Sequence, residues 1–180
     1  ILKGMYLFKE NNKFKKTKIQ LLGSGTILRE MIAAAEILQN EYEIDSNVWS
    51  VTSFNELRKE ALEVSRENML HPEKKPKTPF VTQQLEKQSG PVIAATDYMK
   101  VYSDQIREYV PDSYRVLGTD GFGRSDSREK LRHFFEVDSK FIVLAALTEL
   151  KGISVLTAKA ITDYMKKSGI PKNKVNPLTQ

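Results

Sequence analysis

The chain has 180 residues, 40% of them hydrophobic and 28% charged, with a formal net charge of +5 and no cysteine. This is the composition of one ordinary globular domain, and it excludes a mostly disordered or collagen-like chain. The missing cysteine removes disulfides, thiolate metal sites and cysteine nucleophiles, which fits a reducing cytoplasm, and no apolar run is long enough to span a bilayer.

The charge excess sits at one end. Lys3, Lys9, Lys13, Lys15, Lys16 and Lys18 face Glu10 alone in the first twenty residues, and the remainder balances. A nucleic-acid surface spreads its cations along a face, with arginines to fork onto phosphates and aromatics to stack. Lysines clustered around Asn11-Asn12-Lys13 read instead as a solvated turn, so nucleic acid is not an expected partner, and neither is a membrane. The first residue is Ile1 and not methionine, so the chain reads as processed or as part of something longer.

In chain order, Ile1 to Phe8 is apolar and partly alternating, a first strand. Lys18 to Leu22 is a second, ending at Gly23-Ser24-Gly25. From Thr26 to Tyr42 the residues Ile27, Leu28, Met31, Ile32, Ala35, Leu38 and Tyr42 recur at helical spacing. Asn47 to Thr52 is β-branched and aromatic, a further strand. Ser53 with Glu56 three residues on predicts a capped helix to about Arg66. His71 to Pro79, with three prolines and three lysines, is a loop. Pro91 to Thr96 is a strand, and Asp97 onward a helix with Tyr98, Val101, Tyr102 and Ile106 on its apolar side. Tyr114 to Gly118 is the last strand. Helices follow over Ser127 to Phe135, Ser139 to Leu150 and Ser154 to Ser168, the last stopped by Gly169 and Pro171. Strands separated by helices predict a single α/β domain over 1–180. Its expected architecture is three-layer α/β/α, with a mostly parallel sheet of about five strands and the first strand as an antiparallel edge.

Gly23-Ser24-Gly25, between a strand and a helix, has the placement of a phosphate-binding turn. The dinucleotide fingerprint needs a third glycine where Leu28 stands and an acid where Thr52 and Ser53 stand, so a tight turn is the plainer reading. His71 and His133 lack the partners of a metal or nucleophile site. The most unusual loop is Gly118 to Glu129 (GTDGFGRSDSRE). Arg124 and Arg128 suit a carboxylate or phosphate, or else pair internally with Asp120 and Asp126. The same loop reads equally as a capped turn, with Ser125 or Asp126 as the cap and Phe122 plugging the end of the sheet.

Residues 18–38 (KIQLLGSGTILREMIAAAEIL), 47–58 (NVWSVTSFNELR), 67–72 (ENMLHP), 95–111 (ATDYMKVYSDQIREYVP) and 114–138 (YRVLGTDGFGRSDSREKLRHFFEVD) together resemble the end of the homodimeric, bacterial type of pyruvate dehydrogenase. The likeness runs to Lys174–Pro177 and covers nearly the whole chain. DGFGRSDSR is its most specific piece, and a looser form of that run resembles the transketolase C-terminal domain.

The resemblance implies a C-terminal domain of a longer cytoplasmic chain, which explains the missing methionine. The parent would be a homodimer that uses thiamine diphosphate and magnesium to decarboxylate pyruvate. It would then acetylate the lipoyl group of a dihydrolipoyl acetyltransferase component. The family's Gly-Asp-Gly cofactor motif is not met by Thr119-Asp120-Gly121, so no catalytic, cofactor or metal residue carries over to this chain. The residues expected to contact other domains or subunits are Asp120, Phe122, Arg124, Ser125 and Arg128. A rival expectation is a free-standing module that binds an anionic small molecule at Gly23-Ser24-Gly25 or at the arginine loop. A third reading, a nucleic-acid binder, would use the Lys13 to Lys18 cluster.

Overall fold

In the computed structural model, which describes residues 2–14 and 17–179, five extended segments hydrogen-bond into one sheet. They are Met5–Glu10 (β1), Lys18–Ser24 (β2), Asp45–Val51 (β3), Val92–Ala95 (β4) and Tyr114–Leu117 (β5), in the order β1-β3-β2-β4-β5. β2, β3, β4 and β5 run parallel, and β1 lies antiparallel on the outer edge of β3. The mostly parallel sheet with one antiparallel edge is therefore as expected. The short Lys/Asn turn nevertheless does not make β1 and β2 a hairpin, because β3 is inserted between them. β3 is buried along its whole length and needs a strand on each side, and β1 supplies the second.

Seven helices flank the sheet among the described residues: Leu28–Tyr42 (α1), Phe54–Leu70 (α2), Phe80–Leu85 (α3), Lys100–Asp104 (α4), Arg128–Phe134 (α5), Ser139–Gly152 (α6) and Ala158–Ser168 (α7). Alternation along the strands divides the core in two. Ile19, Leu21, Val48 and Ile93 meet Met31, Leu38, Ile142 and Leu147 of α1 and α6 on one face. Leu22, Trp49, Val51 and Val92 meet Phe54, Leu57, Ala61, Val81 and Leu85 of α2 and α3 on the other. Three layers result.

The caps follow the expected chemistry where short polar residues precede apolar runs. Ser53 accepts from the Glu56 N–H and opens α2, which continues to Leu70, four residues past the expected end. Thr157, and not Ser154, caps α7; Ser154 lies in the preceding turn with φ +63°. Gly169 closes α7 in the left-handed region, as its position predicts. The first turn after β2 is a 3-10 turn, Gly25–Ile27, before α1 proper. Two tyrosines are held neutral by burial: Tyr114 is pushed up and donates to the Ser103 carbonyl, and Tyr164 is pushed up to about 12 and donates to that of Lys140. No helix among the described residues is long and apolar enough to cross a membrane.

Candidate contact surface and cleft at the carboxyl end of the sheet

The parallel strands end together, and the chain leaves β2 for β3 on one side and β4 for β5 on the other. A crevice must open where those connections diverge. It is a cleft of about 670 Å³. Thr26 and Asp97 form one wall, with the Thr26 hydroxyl donating to Asp97 Oδ2 at 3.0 Å. The loop after β5 and helix α5 form the other, bringing Arg124, Arg128 and Arg132 to it.

Gly23 shows why the turn after β2 carries glycine. A Cβ there would lie 2.8 Å from the Leu28 Cα, so its absence lets α1 sit against the strand end. The tight-turn reading accounts for this residue, and Asp97 stands beside Gly25 where a phosphate would sit in a nucleotide fold.

The loop residues separate into two groups. Asp120 faces inward, accepting from the Lys100 N–H at 2.9 Å with the Lys100 ammonium 3.7 Å away. It ties the start of α4 to the β5 loop and pairs with neither arginine. Residues 121–130 are exposed without interruption. Phe122 is 82% exposed, so it does not plug the sheet end. Val116 and Leu117 of β5 are covered without it, by elements of the two cores. Arg124 lies over the Phe134 ring, 4.8 Å from its centroid. Ser125 is exposed, and the helix cap is Ser127, whose hydroxyl accepts from the Lys130 N–H. Asp126 accepts from the Ser127 N–H and faces the Lys130 ammonium. Arg128 has no charged partner among the described residues.

Two features under this loop carry no local sequence signal. Glu30 of α1 accepts from Arg132 at 2.7 Å and from the Ser139 N–H at 2.9 Å, joining α1, α5 and α6. The tail braces the loop from outside: Gly121 has φ +105°, and a Cβ on it would lie 2.5 Å from the Pro177 carbonyl. Lys174 in that tail donates to the Phe134 carbonyl and Glu136. The exposed loop is thus seated on a fixed base.

The histidines are engaged elsewhere. His133 Nδ1 lies 2.8 Å from Asp138 Oδ2 with its ring against Phe141, and His71 faces Glu73 in the proline loop. Of the amino-terminal lysines, Lys18 pairs with Glu10, Lys9 with Glu36, and Lys13 lies over Phe14. Lys15 and Lys16, like Ile1, lie outside the described residues. Among the described residues no cluster of histidine and carboxylate side chains is placed to hold a metal ion.

Residues 4–138 match the model of the transketolase-like C-terminal domain family. The chain is 55% identical over 179 residues to the pyruvate dehydrogenase E1 component of Pseudomonas aeruginosa, and 51% identical over 178 residues to that of Escherichia coli. These alignments take in 99% and 98% of this chain, which spans about a fifth of the length of the curated relatives it matches. Among solved structures, transketolase from Campylobacter jejuni superposes with a TM-score of 0.56 at 20% identity, covering 81% of this chain and 18% of the other. That likeness concerns the fold alone.

Proposed function

Because the chain belongs to the family of transketolase-like C-terminal domains, we propose that it is the C-terminal domain of a pyruvate dehydrogenase E1 component. The observation that carries this is 55% identity along 99% of the chain to a protein of that name. The parent would be a homodimeric cytoplasmic enzyme that decarboxylates pyruvate and passes the acetyl group to the lipoyl group of a dihydrolipoyl acetyltransferase. Thiamine diphosphate with magnesium would supply the carbanion chemistry.

This chain's own residues do not fit that cofactor. Asp120, the one acid in a position reminiscent of a diphosphate motif, is committed to the Lys100 amide and ammonium. The cofactor and the proton transfers around it therefore belong to residues outside this chain.

The role left to the domain is contact. Phe122, Arg124 and Ser125 on the braced loop and Arg128 at the start of α5 are exposed and meet a neighbouring domain or subunit, while Asp120 holds the loop's base. An exposed aromatic side chain and an arginine already restrained over a ring are the residue types that anchor interfaces.

The full-length polypeptide, given thiamine diphosphate, magnesium and a lipoyl domain, is expected to acetylate that domain from pyruvate, and the 180-residue chain alone is not. Absence of the activity from the full-length protein would contradict the assignment. Free Arg128 on the cleft favours a second reading, a site for a small anion. Stoichiometric phosphate or carboxylate binding to the chain that Arg128→Ala abolishes would favour it.

A further inference from the structure

We infer that Tyr98, Met99, Val101 and Tyr102 form the seat of the domain that precedes this one in the same polypeptide, an inference that rests on the reading above of the chain as part of a longer enzyme. The spacing of Tyr98, Val101, Tyr102 and Ile106 predicts one helix from Asp97 with a shared apolar side. The structure instead gives a five-residue α4 followed by a 3-10 turn at Arg107–Tyr109. Ile106 is buried, but Tyr98, Met99, Val101 and Tyr102 are 54%, 43%, 62% and 37% exposed. The bond from the Lys100 N–H to Asp120 fixes the start of α4, and Ser103 is its one buried residue, so its apolar side chains point away from the sheet. The Tyr98 and Tyr102 rings pack on each other at 4.8 Å. A monomer rarely leaves such a contiguous, preorganised apolar shelf uncovered.

The chemistry beside the shelf narrows the occupant. A groove of about 290 Å³ runs along it, lined by Ser24, Ser53, Phe54, Asn55, Thr96 and the two tyrosines, none of them charged. This surface fits an uncharged protein face, unlike the arginine wall of the large cleft.

The path of the chain selects among protein partners. β1 is antiparallel, so its first residue, Met5, lies opposite Val51 at the carboxyl end of the sheet. The Gly4 carbonyl accepts from the Thr52 and Ser53 N–H groups, which puts Gly4 beside the groove that Ser53 lines, while Leu2 and Lys3 run on to Phe80 and Gln84. A domain joined ahead of this segment is tethered within its own width of the shelf, an advantage in effective concentration that a second copy lacks.

Hydroxyl-radical footprinting of the full-length enzyme tests the inference, with Met99 oxidation compared between the native and urea-unfolded protein. A covered Met99 is expected to be protected about tenfold or more, as in an interface core. Protection of about two- to threefold, in keeping with partial exposure, would overturn the inference. Protection lost on dilution to monomers would overturn it too, in favour of a second copy. Val101→Glu is expected to expose Met99 to oxidation while buried Met31 stays protected; Met99 protection unchanged in that variant would count against the seat. A native polypeptide no longer than this chain would instead mark failure of the underlying reading, which unprotected Met99 in a longer polypeptide would not.

Discussion

Replacing Glu30 by alanine is expected to destabilise the chain by about 2–4 kcal/mol, the range for removing one partner of a largely buried, hydrogen-bonded ion pair. Glu30 uses both oxygens, one on the Arg132 guanidinium and one on the Ser139 N–H at the start of α6. Its loss leaves Arg132, whose side chain is 17% exposed, without its carboxylate, and it leaves a helix amide unsatisfied. The consequence is local as well as global. α5 carries Arg128, its Phe134 lies under Arg124, and Glu30 clamps it to α1 through Arg132. Glu30→Gln keeps one acceptor oxygen but sets an amide NH2 against the other donor and loses the charge, so it is expected to recover at most about half of that loss. Urea denaturation measures both, and a change below about 0.5 kcal/mol in the alanine variant would contradict the clamp.

The second large effect is on assembly. In the full-length enzyme, Arg124→Ala with Arg128→Ala is expected to weaken subunit or domain association about tenfold or more, the scale of losing one interface hot spot. The two arginines contribute differently. Arg124 lies over the Phe134 ring, 4.8 Å from its centroid, and so presents a guanidinium already restrained, at little entropic cost. Arg128 has no charged partner among the described residues, so it meets its partner as a free charge, and its share should fade as salt is raised. Both side chains are exposed, and the stability of the domain itself should move by only about 0.5–1 kcal/mol, chiefly from the lost stacking on Phe134. Sedimentation over a dilution series, with activity followed alongside, separates these effects. Unchanged assembly and unchanged activity in the double variant would remove the loop from the interface.

The sheet was legible where the chemistry is local. Asn47 to Thr52 and Pro91 to Thr96 are runs of β-branched and small apolar residues that pack on both sides, and both are strands. Ser53 with Glu56, and Gly169, announced helix ends through hydrogen bonds made within a few residues. What was not legible depends on partners far along the chain. The antiparallel position of β1 is decided by β3, some forty residues later, and not by the turn that follows β1. α3 is a six-residue helix behind Pro79, too short to display a period. The apolar spacing of Tyr98, Val101 and Tyr102 is that of a core stripe, because periodicity reports which residues share a side and not whether anything in the chain covers it.

The same limit applies to the contact loop. Its glycines, aromatic ring and arginines marked it as unusual, but an acid and a base two residues apart read equally as an internal pair. The structure resolves this through Lys100 and Lys130, which take Asp120 and Asp126 and leave the arginines facing outward. Glu30 and Arg132 stand 102 residues apart and had no signal at all.

The central claim, that this domain serves a longer enzyme by contact, is tested most directly by the length of the native polypeptide. An antibody raised against the chain, used on extracts of the source cells, is expected to reveal one polypeptide about five times as long, in line with the fifth of its relatives that the chain spans. A band of 20.6 kDa would contradict the account and leave the arginine cleft, with its free Arg128, to be explained as the site of a free-standing protein.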